Sequence, residues 1–98
     1  MIEKLSQQQI EAALAEHAEW QYDADRDAFH RELRLKDFSE TFALMTRIAM
    51  EAEKADHHPE WSNVYNRLSI WLTTHDANGV SERDVKMMTA IDAMLSAG

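Results

Sequence analysis

The chain has 98 residues, ten basic against eighteen acidic side chains for a formal charge of −8, and no cysteine. That length holds one domain, spanning 1–98, whose core buries roughly 60–70% of the surface exposed by the unfolded chain. The acidic balance argues against a binder of nucleic-acid phosphates, and the missing thiols exclude a disulfide scaffold, a thiolate zinc site, an iron–sulfur cluster and a cysteine nucleophile.

Apolar residues make up 45% of the chain and charged ones 29%, with two glycines and one proline, which is an ordinary globular composition rather than a disordered one. Met1-Ile2-Glu3-Lys4-Leu5 carries no apolar core of signal-peptide length. No window approaches the ~20 apolar residues that span a bilayer. A cytoplasmic address with no membrane partner is therefore expected. The negative charge is uneven: residues 1–27 carry −5 and residues 51–60 carry −3.

Ser6-Gln7-Gln8-Gln9 reads as a capping box and opens a first helix with Ile10, Ala13, Leu14 and His17 on one face. Trp20 and Tyr22 read as a short strand, closed by the polar turn Asp23-Ala24-Asp25-Arg26-Asp27. From Ala28 the pattern alternates, with Phe29, Leu33 and Leu35 on one side and His30, Glu32, Arg34 and Lys36 on the other. Arg31 is an exception on the apolar side.

A second helix is predicted from Ser39 to about Ala55. At 100° per residue, Phe42, Leu44, Met45, Ile48, Ala49, Ala52 and Ala55 fill a stripe about 160° wide. Ala43 and Met50 fall together outside it, a second apolar patch that points to self-association or to deep burial. Pro59 ends this region. Residues 61–75 then read as extended, too long for one strand, so a turn near Asn66-Arg67 is expected to split them. Val64, Leu68, Ile70 and Leu72 share one parity; Tyr65, Arg67, Ser69, Trp71, Thr73 and His75 share the other. Asp76-Ala77-Asn78-Gly79 is a turn. Ser81-Glu82-Arg83-Asp84 is a second capping box, opening a last helix with Val85, Met88, Ile91 and Leu95 on its buried face. Sequential strands with short links predict an α+β fold, a four-stranded antiparallel sheet under one layer of three helices.

The chemistry-bearing residues gather around His57, His58 and His75, with Asp56 and Glu60 flanking the first two. Imidazole titrates where proton transfer near neutral pH needs it to. Adjacent histidines before a proline lie on extended backbone and point apart. The alternative for each is an exposed surface ring. A metal site built from Asp56, His57, His58 and His75 has poor ligand spacing, with no His-x-x-x-His pair on a helix. No nucleophile elbow or glycine-rich phosphate loop is present. A cofactor-free proton-transfer enzyme or a binding pocket remains. Tyr65 and Trp71 share the parity of His75 and offer a surface for a planar heterocycle, or else simple sheet packing.

The run from Glu53 through Arg67 resembles the signature of the pterin-4a-carbinolamine dehydratases. Glu53, His57, His58, Pro59, Tyr65, His75 and Asp84 meet its terms, and Ser81-Glu82-Arg83-Asp84 matches the usual opening of the family's last helix. The likeness extends upstream through Trp20, Phe29 and Phe38. Residues 76–79 lie where family members vary.

The resemblance implies a lyase that dehydrates 4a-hydroxytetrahydropterin to quinonoid dihydropterin, recycling pterin for aromatic amino-acid hydroxylation. It implies no metal and no organic cofactor, and a homodimer or homotetramer. It implies His57 and His75 as acid and base in either order, with His58 positioning the ring and Glu53 orienting His57. Pro59 and the backbone from Thr74 through Asp76 to Ala77 would border the pterin. Asp84 is either a substrate contact or the capping partner of Ser81. The alternative is a non-catalytic interaction module on the same fold. Animal members also serve a homeodomain transcription factor as dimerisation cofactor, a role not carried over to this chain.

Overall fold

The computed structural model describes residues 1–96. Three helices, α1 (Gln7–Glu16), α2 (Phe38–Ala55) and α3 (Glu82–Ser96), cover one face of a sheet formed by β1 (Gln21–Asp23), β2 (Ala28–Arg34), β3 (Glu60–Val64) and β4 (Arg67–Leu72). The strand order is β1-β2-β4-β3, with every neighbouring pair antiparallel. The α+β layering matches the sequence expectation.

The predicted capping box at Ser6 forms, and at α3 the carboxylate half of the second one forms while the serine hydroxyl takes the amide one residue earlier than a box requires. Ser6 Oγ accepts from the Gln9 amide, and the Gln9 side chain returns a bond to the Ser6 amide. At α3, Asp84 Oδ2 accepts from the Ser81 amide at 2.9 Å, while Ser81 Oγ accepts from the Arg83 amide. The second helix begins at Phe38, one residue before the expected Ser39, because the Asp37 carboxylate caps it by accepting from the Glu40 amide.

Register sorts the sheet into two faces. Phe29 opposes Leu72, Arg31 opposes Ile70 and Leu33 opposes Leu68, so these point to the helices together. Phe29, Leu68, Ile70 and Leu72 are buried there against Ile48, Met88 and Ile91. The exception at Arg31 has a reason: its guanidinium bonds Asp92 of α3 at 2.7 Å. Asp92 also accepts from the Trp20 indole and pairs with His17, tying α1 to α3. Trp20 itself lies before β1 rather than within it, buried in the core.

Three expectations are corrected. The apolar stripe of α2 is narrower than its sequence pattern: Leu44, Ile48 and Ala52 are buried with Thr41, while Phe42, Ala49 and Ala55 are exposed. Thr41 is accepted in the core because its hydroxyl donates to the Asp37 carbonyl at 2.7 Å. Val64 does not share a face with Leu68. The split falls at Tyr65-Asn66, and this two-residue turn pairs Val64 with Arg67, which turns Val64 outward. On α3, Asp84 and Met87 are buried beside Met88 and Ile91, whereas Val85 and Leu95 are half-buried.

Candidate active site

His57 owes its position to how α2 ends. Asp56 adopts a left-handed conformation (φ 52°), the His57 amide donates to the Ala52 carbonyl and the Asp56 amide to that of Glu53. This is a Schellman-type stop, which turns the chain off the helix axis. Pro59 then fixes an extended exit into β3.

The turn aims His57 at the start of α3. Its Nε2 lies 2.6 Å from Asp84 Oδ1, and only 10% of the His57 side chain is exposed. Asp84 is fully buried. Its other oxygen accepts from the Thr74 hydroxyl at 2.7 Å and from the Ser81 amide. Because Thr74 spends its proton on Asp84, Ser81 donates to the Thr74 oxygen at 2.7 Å. One carboxylate thus fastens the His57 turn, the end of the β4 segment and the first turn of α3. A buried carboxylate is tolerated only when so satisfied.

The pairing of Glu53 differs from expectation. Glu53 Oε1 meets Nε2 of His58 at 2.9 Å, not His57. The left-handed Asp56 breaks the helical spacing that would have put Glu53 beside His57. Asp84 takes that role instead. Both its oxygens are engaged and it has no exposed surface, so it serves as the reciprocal capping partner of Ser81 and holds His57. His58 is 55% exposed on its side chain.

His75 opens a short 3-10 turn, His75–Ala77, pinched between Thr74 and Gly79 by reciprocal backbone bonds. Its side chain is 85% exposed, with Nε2 3.3 Å from Glu60 Oε2. All three histidines therefore turn Nε2 toward a carboxylate: Asp84, Glu53 and Glu60. An ionised carboxylate only accepts, so the hydrogen bonds of His57 and His58 favour a proton on Nε2 and leave Nδ1 as the basic nitrogen of the neutral ring, whereas His75 and Glu60 meet at ion-pair distance without hydrogen-bond geometry. Among the described residues, no hydrogen bond or ion pair joins His75 to His57 or His58. A cleft of about 500 Å³ borders His57, Arg83, Lys86 and Met87, and another of about 520 Å³ borders His75, Arg26, Glu60 and Thr73.

The Thr74 hydroxyl is occupied, and its amide and carbonyl serve the turn. As the first residues of a 3-10 turn, His75 and Asp76 have amides that no carbonyl within the turn engages. Among the described residues, no group of three or more His, Asp or Glu side chains is arranged to hold a metal ion. Trp71 is engaged within the open sheet face: His30 stacks on it at 4.4 Å and the Arg26 guanidinium lies 3.9 Å over its ring. Tyr65 sits at the hairpin turn, exposed. Sheet packing is thus the role of Trp71, not a free stacking surface. Nearby, burial first and then the hydrogen bond to Asp27 push the Tyr22 phenol up to about 12. Sequence reasoning noted Glu60 only as a flanking carboxylate and missed Arg26.

This fold, with paired histidines held by carboxylates at the end of its long helix, defines a class. Residues 3–94 match the family model described as pterin 4 alpha carbinolamine dehydratase, and the chain belongs to that family. A protein of Rhizorhabdus wittichii, named "Putative pterin-4-alpha-carbinolamine dehydratase", is 55% identical over 95% of this chain and 96% of its own length. A protein of the same name from Burkholderia orbicola is 48% identical over 94% of this chain and 90% of its own. A crystal structure from Brucella melitensis, described as a transcriptional coactivator/pterin dehydratase, superposes with a TM-score of 0.89 at 43% identity, covering 92% of this chain and 96% of that one.

Replacing Asp84 by Ala strands three buried donors at once. Asp84→Ala should lower the unfolding free energy by about 3 kcal/mol in urea titrations, and Asp84→Asn by less. A loss well under 1 kcal/mol for Asp84→Ala would show that the carboxylate is not the anchor.

Proposed function

We propose that the protein dehydrates a 4a-hydroxytetrahydropterin to a quinonoid dihydropterin, a hydro-lyase step that recycles pterin for aromatic amino-acid hydroxylation. Membership of the family supports the substrate class. The observation that carries the chemistry is the set of three histidines, each with Nε2 toward a carboxylate.

The reaction breaks one C–O bond and one N–H bond. A general acid protonates the departing hydroxyl so that it leaves as water. A base takes the proton of the neighbouring ring nitrogen as the C=N bond forms. Each transfer contributes about 10²–10⁴-fold when the group is in place. His57 and His75 take these two roles, and His58, held by Glu53, positions the ring. The amides of His75 and Asp76 face the pterin edge. Asp84 touches no substrate; it holds His57 and stabilises an imidazolium there, as an orienting carboxylate does in other histidine sites.

The test is to add the protein to freshly made 4a-hydroxytetrahydropterin and follow quinonoid product by absorbance. His57→Ala and His75→Ala should each lower kcat with little change in KM, whereas His58→Ala should raise KM more than it lowers kcat. Circular dichroism must show each variant folded. Near-normal kcat in both His57→Ala and His75→Ala would refute the mechanism.

The exposed face of α2 supports self-association as well. Phe38, Phe42 and Met50 lie in solvent, and Phe38 and Phe42 pack on each other with ring centres 5.6 Å apart. A second copy that covers this face removes apolar surface from water. Light scattering should give a mass above that of one chain, reduced by Met50→Glu. A monomer mass for the wild type in dilute solution would contradict it. The same measurement bears on the non-catalytic reading, in which this surface serves a partner and turnover is absent.

A further inference from the structure

We propose that Glu60, clamped by Arg26, is a positioning residue that sets the ring of His75; this rests on His75 taking part in the proposed dehydration. His57 is gripped by a buried carboxylate. His75 is not: it projects into solvent from a short turn, and a ring so placed samples several orientations. Among the described residues, Glu60 is the one side chain whose charged group lies within ion-pair distance of its ring nitrogens.

Glu60 is itself held from two sides. As the first residue of β3 it lies directly across from Trp71 of β4. Arg26, from the turn between β1 and β2, folds over the Trp71 ring at 3.9 Å and donates to Glu60 Oε1 at 2.7 Å. That leaves Oε2 facing His75 Nε2. The platform beneath is fixed in turn. Trp71 donates to Asp23 at 3.2 Å and stacks with His30, and the Arg26 amide also bonds Asp23. A row of side chains on the open sheet face thus ends at the exposed histidine.

The charged residues that line the cleft beside His75 are Glu60, Arg26 and Asp27, with Lys4 paired to Asp27 at 3.7 Å, and Asp76 follows His75 in the turn. Arg26 takes one oxygen of Glu60 and leaves the other for the imidazole, so the pair does not collapse into a closed ion pair. The 3.3 Å contact is longer than that of His57 or His58 and lies at ion-pair distance without hydrogen-bond geometry, so Glu60 steers the ring by charge. A ring misplaced by about 1 Å costs a proton transfer up to ~10²-fold, which sets the scale of the effect.

Kinetics and NMR test this together. Glu60→Ala should lower kcat about tenfold and leave KM within about twofold. Glu60→Gln, which keeps the shape and loses the charge, should recover little of the loss. In a His75→Ala background, Glu60→Ala should change nothing further, and Arg26→Ala should add nothing to Glu60→Ala. Equal losses with and without His75 would overturn the proposal, because Glu60 would then act elsewhere. The second readout needs no turnover. In long-range proton–nitrogen spectra without substrate, wild-type His75 should hold its proton on Nε2, and Glu60→Ala should move the ring toward the tautomer mixture of free imidazole. If the wild type shows no dehydration but the ring still responds to Glu60→Ala, the dehydratase reading fails and the positioning stands. If dehydration is present and neither the ring nor kcat responds, the positioning fails.

Discussion

A fully buried carboxylate at the first turn of α3 organises this molecule. Asp84 accepts from a backbone amide, a threonine hydroxyl and an imidazole, each belonging to a different piece of chain. Burying an unpaired carboxylate would cost several kcal/mol, so the three donors must arrive together for the fold to close around it. Capping of α3, closure of the Thr74–Gly79 turn and placement of His57 are therefore one event. This is how a chain of 98 residues holds the His57 imidazole still without spending much of its core on the task.

The same anchor divides the site into a rigid part and a soft part. His57 is nearly covered and bonded to Asp84. His75 shares that anchor only through Thr74, the residue before it, and its own ring stands in solvent. Glu53 and Glu60 act from exposed or half-exposed positions, where water screens their contacts. Their value lies in orientation more than in stability. The Arg26 stack on Trp71 adds rigidity where the sheet edge would otherwise leave Glu60 free.

Much of this was legible in the residues because the signals are local. The capping box at Ser6, the Ser81–Asp84 cap of α3, the split of residues 61–75 into a hairpin, and the antiparallel sheet with helices on one face all follow from spacing and turn chemistry. Where the reading failed, the missing information was three-dimensional. The α2 pattern counts apolar residues around a helix but does not say which arc meets the sheet, so Phe42 and Ala49 were placed inside and Thr41 was not noticed. Val64 kept the parity of Leu68 on paper because a two-residue turn reverses the face. Glu53 stands four residues before His57, and helical geometry joins them, but the left-handed Asp56 removes His57 from the helix and delivers His58 to Glu53 instead. Glu60 and Arg26 meet only through cross-strand register and the folding of a turn over Trp71, which no spacing in the chain records.

The account stands on the claim that Asp84 acts through His57. The direct measurement is the dehydration rate of Asp84→Asn, made alone and in a His57→Ala background, in protein shown to be folded. Asparagine keeps the shape and loses the charge. The account predicts that Asp84→Asn alone lowers kcat about 10²-fold and adds no further loss once His57 is gone. Losses that multiply independently would contradict it, for they would mean that the buried carboxylate and the imidazole it holds serve separate ends.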